Sequence, residues 1–367
     1  MSTRQALRPA RSPVRKGARR KADAPNDGRD LRPAILDGLR AVAWLLSIVV
    51  AALALLDSCA SGKPMLTPME AKLATLAAPG PYAVARYDVA WKDSARGRTV
   101  AARIYAPLDD HQALPVIIFS HGLGNSREGY SYLGSHWASR GYVSIHPEHV
   151  GADVEITRHG LWHLYRAGFD RATWRSVPED IRFVIDQIGR DDALPVDLRG
   201  KLDRRRIGVA GHSLGAYAAL AVGGLAVPLP GEGIVSFRDR RVIAAIPMSM
   251  SENLPATSYQ SVSIPMLHLT GTRDSSILYG TTQRMRRLPF EAIQRRDQYL
   301  LTLTGANHST FSDDESPANR AAHDVIRAAT TLFWDAYLRG EASALDALRN
   351  GRLIEAIGGA GRLEVKR

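Results

Sequence analysis

Apolar and polar positions alternate through Tyr82 to Trp91 and again through Thr99 to Tyr105, with the polar stretch Lys92 to Gly97 between them. Alternation of period two on both sides of a turn predicts an antiparallel hairpin. The pattern then changes. Pro115 to Ser120, Tyr142 to His146, Ile207 to Ala210, Val242 to Met248, Met266 to Thr270 and Tyr299 to Thr304 are short, nearly continuous apolar runs, as expected of strands covered on both faces. Between them, Tyr130 to Arg140 suits a helix, Arg182 to Ile188 a helix after Pro178, and the small residues from Ala216 onward a helix packed on a sheet. Ala318 to Leu338 carries apolar residues at helical spacing. Strands alternating with helices predict an α/β domain over residues 82–340: a mostly parallel, eight-stranded, doubly wound sheet with an N-terminal antiparallel lead-in. Residues 341–367 read as a C-terminal extension.

The chain before Tyr82 has a different character. Residues 1–40 are rich in Arg, Lys, Pro, Ala and Gly and hold too few large apolar residues to fold alone, so they read as a solvated tail. Ala41 to Leu56 then runs without a charge, long enough as a helix for about 24 Å at 1.5 Å per residue, against a bilayer core of roughly 30 Å. A basic flank before an apolar run is the pattern of an export signal or a signal anchor. Leu56-Asp57-Ser58-Cys59 resembles the lipobox of bacterial lipoproteins, although Asp57 departs from the small uncharged residue expected there. Three readings of residues 41–59 stay open: a lipoprotein signal ending at Cys59, an uncleaved anchor, and a buried core helix. The first two put the folded domain on the extracytoplasmic side of a membrane. Residues 60–81 read as a linker with a helical patch around Met69 to Ala78.

Composition narrows the function classes. The chain has 367 residues, 45% of them hydrophobic, enough for one large α/β core. Its net charge of +11 suggests a nucleic-acid partner until it is divided: residues 1–40 hold 11 Lys and Arg against 4 Asp and Glu, leaving only +4 for the rest. With no interleaving of basic and aromatic residues either, nucleic acid is not expected as a partner. Cys59 is the single cysteine, so no intrachain disulfide can form.

The chemistry centres on Arg205 to Leu225, RRIGVAGHSLGAYAALAVGGL. Within it Gly211-His212-Ser213-Leu214-Gly215 fits G-x-S-x-G, a sharp strand-to-helix turn that lifts a serine hydroxyl out of a sheet as a nucleophile. Ser213 would be held in a strained conformation, and side chains at 211 or 215 would collide across the turn. The plainer alternative is a Gly-rich turn whose serine caps the helix.

Four motifs in order, FSHGLG, GHSLGA, TGTRD and TGANHSTF, resemble those of an α/β-hydrolase. More narrowly, residues 82–338 are similar to bacterial dienelactone-hydrolase-like and platelet-activating-factor-acetylhydrolase-like serine esterases, a group that also resembles polyester-degrading cutinases. Dienelactone hydrolases proper have a cysteine where this chain has Ser213, so lactone hydrolysis is not carried over. A serine hydroxyl needs a base, and the base needs an acid to orient it. In the order Ser, Asp, His of this elbow family, Asp274 and His308 follow the strands PMLHLTG and YLLTLTG at the edge where such sheets bind ligands. The resemblance places the second oxyanion amide at Leu123, beside that of Leu214. Val150 to Val177 is the least regular stretch, and its Trp162, Tyr165 and Trp174 either wall an acyl site or pack a surface subdomain.

His146, Glu148, His149, His159 and His163 have no metal-ligand spacing, so neither a metal nor another cofactor is expected. His268 reads as a core residue and His323 as part of the terminal helix. The expected activity is hydrolysis of a small or lipid-like carboxylic ester through an acyl-enzyme. An acyltransferase with the same triad, a noncatalytic hydrolase-like binding protein, and a protein serving chiefly through its membrane segment are the rivals.

Overall fold

A computed structural model describes residues 67–108, 113–250, 254–276, 280–314, 316–352 and 358–367. The chain divides into two units, Met1–Met65 and Leu66–Arg367, and the described residues all belong to the second. The basic tail, the apolar run and Cys59 lie outside them.

The first described element is helix α1 (Pro68–Ala77), whose start is set by a reciprocal cap between Thr67 and Glu70 and by Pro68 in the first turn. The predicted hairpin follows as β1 (Val84–Asp93) and β2 (Arg98–Pro107), then β3 (Leu114–Ser120), α2 (Ser131–Ser139) and β4 (Val143–Pro147). The irregular stretch holds two short helices, α3 (Glu155–Arg158) and α4 (Leu161–Gly168), and leads into α5 (Arg171–Ile188). Next come β5 (Leu202–His212), α6 (Leu214–Gly223), a hairpin of β6 (Ala226–Leu229) and β7 (Gly233–Ser236), and β8 (Val242–Met248). The chain finishes with β9 (Met266–Gly271), α7 (Gln283–Ala292), β10 (Gln298–Leu303), α8 (Pro317–Trp334), α9 (Ala342–Arg349) and β11 (Gly361–Lys366).

Among the described residues the main sheet has nine strands in the order β1-β2-β4-β3-β5-β8-β9-β10-β11. From β4 to β10 neighbours run parallel, while β1 and β2 at one edge and β11 at the other run antiparallel. The ninth strand corrects the expectation of eight and comes from the supposed C-terminal extension. Gly361 to Lys366 is short, with only Leu363 buried, so its period is weak in sequence. It joins because β10 offers an open edge and Arg287 grips Glu364 with two hydrogen bonds of 2.7 and 3.0 Å.

Alternating strand residues divide into two cores, one on each face. In β3, Val116 and Ile118 pack with α5 and α6, while Ile117 and Phe119 pack with α2 and α8. Both faces are covered by helices, which is why the inner strands read as unbroken apolar runs rather than alternating ones.

Helix α5 is a second correction. It begins at Arg171, inside the stretch read as an insertion, and carries Pro178 within it rather than starting after it. Proline has no N–H to give the Trp174 carbonyl one turn back. The Tyr217 hydroxyl of α6 supplies that donor instead, at 2.7 Å. A tertiary contact therefore repairs the backbone and lets the helix run through. Among the described residues no helix is long and apolar enough to cross a membrane.

Candidate active site

Ser213 stands between β5 and α6 with φ 57° and ψ −116°, a conformation that a residue with a Cβ rarely adopts. The flanking glycines allow the turn. A Cβ on Gly215 would lie 1.9 Å from the Ser120 carbonyl oxygen, and one on Gly211 would lie 2.3 Å from the Gly215 carbonyl oxygen. The elbow is thus pressed against the end of β3, where the loop of Gly122 to Gly124 begins.

Asp274 and His308 follow the adjacent parallel strands β9 and β10, so both emerge at the same sheet edge as Ser213. Their loops are stitched together: Thr272 N–H donates to Leu303 O at 2.9 Å and Arg273 N–H to Ala306 O at 2.9 Å. His308 opens a single 3-10 turn, His308–Phe311, capped by Asn307. The Ser213 hydroxyl is 3.1 Å from His308 Nε2, and His308 Nδ1 is 3.3 Å from Asp274 Oδ1.

Asp274 is fully buried. Burial works against its charge, but the hydrogen bond with His308, the Arg286 guanidinium and the Ser249 hydroxyl more than offset this and hold its carboxyl below the ordinary value. Thr270 Oγ1–H donates to the second carboxylate oxygen at 2.9 Å. Two further residues meet here that motif spacing did not reveal. Ser249 follows β8 and approaches both His308 and Asp274; Arg286, from α7 with its side chain buried, lies 3.2 Å from Asp274. Neither belongs to a motif, and their only trace in sequence is a polar residue closing an apolar strand and an arginine on the apolar side of a helix.

Neither the Leu214 N–H at the start of α6 nor the Leu123 N–H finds an acceptor among the described residues. Gly122 brings that loop to Ser213, whose Cβ lies 3.3 Å from where a Gly122 side chain would begin. Tyr130 bridges loop and elbow, accepting from Gly122 N–H at 3.4 Å and donating to His212 Nδ1 at 2.8 Å.

Behind the loop lies a second succession of Ser, His and Asp. Ser120 Oγ is 2.8 Å from His149 Nε2, and His149 Nδ1–H donates to Asp180 Oδ2 at 3.1 Å. All three are fully buried, so no substrate reaches them. Asp180 is balanced by Arg96 at 2.8 Å and Arg98 at 3.2 Å. The network ties the loop after β3 to the turn after β4, helped by Gly124 N–H to Ala152 O at 2.8 Å.

The aromatic residues of the irregular stretch are dispersed in role. Trp162 is exposed and stacks on Tyr165 at 5.8 Å; Tyr165 borders a surface cavity of about 680 Å³ with Phe169 and Thr173. Trp174 packs on Tyr217 at 4.8 Å and donates to Gly168 O. From this stretch Leu164 and Thr157 press on the loop after β3, each 3.0 Å from where a Gly124 side chain would begin. His268 is buried against Gln298, and His323 stacks on Tyr132. Among the described residues no group of three or more His, Cys, Asp or Glu is placed to hold a metal ion.

A family model described as platelet-activating factor acetylhydrolase, isoform II, matches residues 89–159, from β1 to the start of the irregular stretch. Platelet-activating factor acetylhydrolase of Cavia porcellus is 28% identical over 149 residues, covering 33% of this chain and 34% of that protein. The chain thus spans about a third of the length of the curated relative it matches. With the sheet order and the strained serine turn, these matches support an α/β-hydrolase fold similar to that of platelet-activating factor acetylhydrolases.

Proposed function

We propose that the protein hydrolyses carboxylic esters through an acyl-enzyme, with Ser213 as nucleophile, His308 as base and Asp274 as orienting acid. The observation that carries this reading is the 3.1 Å approach of the Ser213 hydroxyl to His308 Nε2 in a turn held at φ 57°. The proton passes from Ser213 Oγ to His308 Nε2 as Oγ bonds to the ester carbonyl carbon, and the carbonyl π pair moves onto oxygen. The Leu123 and Leu214 amides receive that oxyanion; one such donor is worth roughly 100-fold to 1000-fold in rate. Collapse re-forms the carbonyl and expels the alcohol oxygen, which takes the proton from Nε2. Water then repeats the two steps on the acyl-Ser213 ester, releasing the acid and restoring the serine.

The substrate class is a small or lipid-like ester. The acetyl ester named in the guinea-pig relative is the first candidate. The basic leader, the apolar run to Leu56 and Cys59 support attachment to a membrane, with the hydrolase on the extracytoplasmic face. The test is turnover of short p-nitrophenyl esters together with covalent labelling by a fluorophosphonate. Wild type is expected to do both and Ser213→Ala neither; label on another residue, or turnover by the variant, would remove Ser213 as nucleophile.

A further inference from the structure

The imidazole of His308 can serve Ser213 as a base only if its proton sits on Nδ1, leaving the Nε2 lone pair toward the hydroxyl. The surroundings of Nδ1 pull in two directions. Asp274 Oδ1, at 3.3 Å, accepts a proton there. Arg286 Nη2, at 3.2 Å, is a cationic donor that would be satisfied by a bare Nδ1, which puts the proton on Nε2 and disarms the base. These two distances are nearly equal, and Asp274 Oδ1 already accepts a shorter hydrogen bond from a hydroxyl at 2.9 Å, with the Arg286 guanidinium paired to it at 3.2 Å.

That hydroxyl belongs to Ser249. Its hydrogen goes to Asp274 Oδ1, and its oxygen lies 2.6 Å from His308 Nδ1, closer than either rival. With its one hydrogen committed, Ser249 Oγ can only accept from Nδ1, so it selects the tautomer the chemistry needs. The backbone is arranged for this. Ser249 is buried, held at φ 51° at the end of β8, and anchored by its N–H to Leu269 O at 2.7 Å. Arg286 Nη1 donates to Ser249 O at 3.0 Å and also to Met250 O, which fixes the guanidinium beside the ring.

We infer that Ser249 is a positioning residue that fixes the His308 tautomer against Arg286, a role resting on the hydrolase reading above and deepening it. The hydrogen-bond relay then runs through four residues, Ser213, His308, Ser249 and Asp274, with the acid reaching the imidazole largely through a hydroxyl.

The test uses the full chain with ¹⁵N-labelled histidine, as wild type, Ser249→Gly and Ser249→Ala, with His308→Gln to identify the His308 signals. Glycine accepts φ 51° without strain but loses the Cβ with the hydroxyl, whereas alanine keeps the Cβ and removes the hydroxyl alone. Wild type is expected to carry the neutral-form proton on Nδ1. Both variants are expected to shift protonation toward Nε2 and to lose about 10- to 100-fold in kcat with KM unchanged. A wild-type His308 protonated on Nε2, a variant whose ring nitrogens do not shift, or unaltered kcat in either variant overturns the inference. The nitrogen signals need no substrate. Absence of both turnover and fluorophosphonate labelling in wild type sinks the hydrolase reading instead, while the tautomer is still read.

Discussion

Replacing Tyr217 by Phe tests how the irregular stretch is joined to α6, the helix that follows Ser213. The Tyr217 hydroxyl donates to the Trp174 carbonyl, which has lost its helical donor to Pro178. Phenylalanine keeps the ring and its 4.8 Å contact with Trp174, so the change removes one hydrogen bond and little packing. Tyr217 is fully buried, and the stranded carbonyl is expected to cost about 1–2 kcal/mol. For a domain of this size that lowers Tm by about 2–6 °C. Urea unfolding gives the free energy, and a double-mutant cycle with Pro178→Ala gives the cause. Alanine at 178 restores an N–H to Trp174, so Tyr217→Phe is expected to cost under about half as much in that background. An equal cost in both backgrounds would show that the hydroxyl does not substitute for the missing amide.

Acid should destabilise the fold through buried neutral histidines. Burial is the main cause that takes His121, His136 and His146 from 6.5 down to about 3, aided by His149 at the first, Arg140 at the second and Arg103 at the third. Above pH 6.5 both states are neutral and nothing is gained or lost; below it the unfolded chain binds protons that the folded chain refuses. Each such group costs on the order of 1 kcal/mol at one unit below 6.5. Glu148 and Asp313, raised by burial, act the opposite way. Unfolding free energy at pH 5.5 is therefore expected to be about 2–4 kcal/mol lower than at pH 7, and equal values would contradict the account. For the leader, if lipidation at Cys59 anchors the protein, Cys59→Ser is expected to move it from the membrane to the soluble fraction; unchanged membrane retention would favour an uncleaved helix over residues 41–56.

The strand and helix pattern was legible wherever burial on both faces erased polar positions, as in Pro115 to Ser120 and Val242 to Met248. Ser213, Asp274 and His308 could be picked out because each follows a predicted strand within a recognisable motif. Three features were not legible, each for the same kind of reason. Pro178 argued locally for a break that Tyr217, 39 positions away, makes unnecessary. Gly361 to Lys366 has little strand signal of its own and pairs because β10 has an open edge.

Ser249 and Arg286 carry no motif; only the crossing of β8, β9 and α7 at one sheet edge brings them to His308. Local pattern reports what a residue does to its own backbone and to the nearest layer of core. Which hydroxyl or guanidinium lies beside an imidazole depends on how distant strand ends converge, and the folded chain alone decides that.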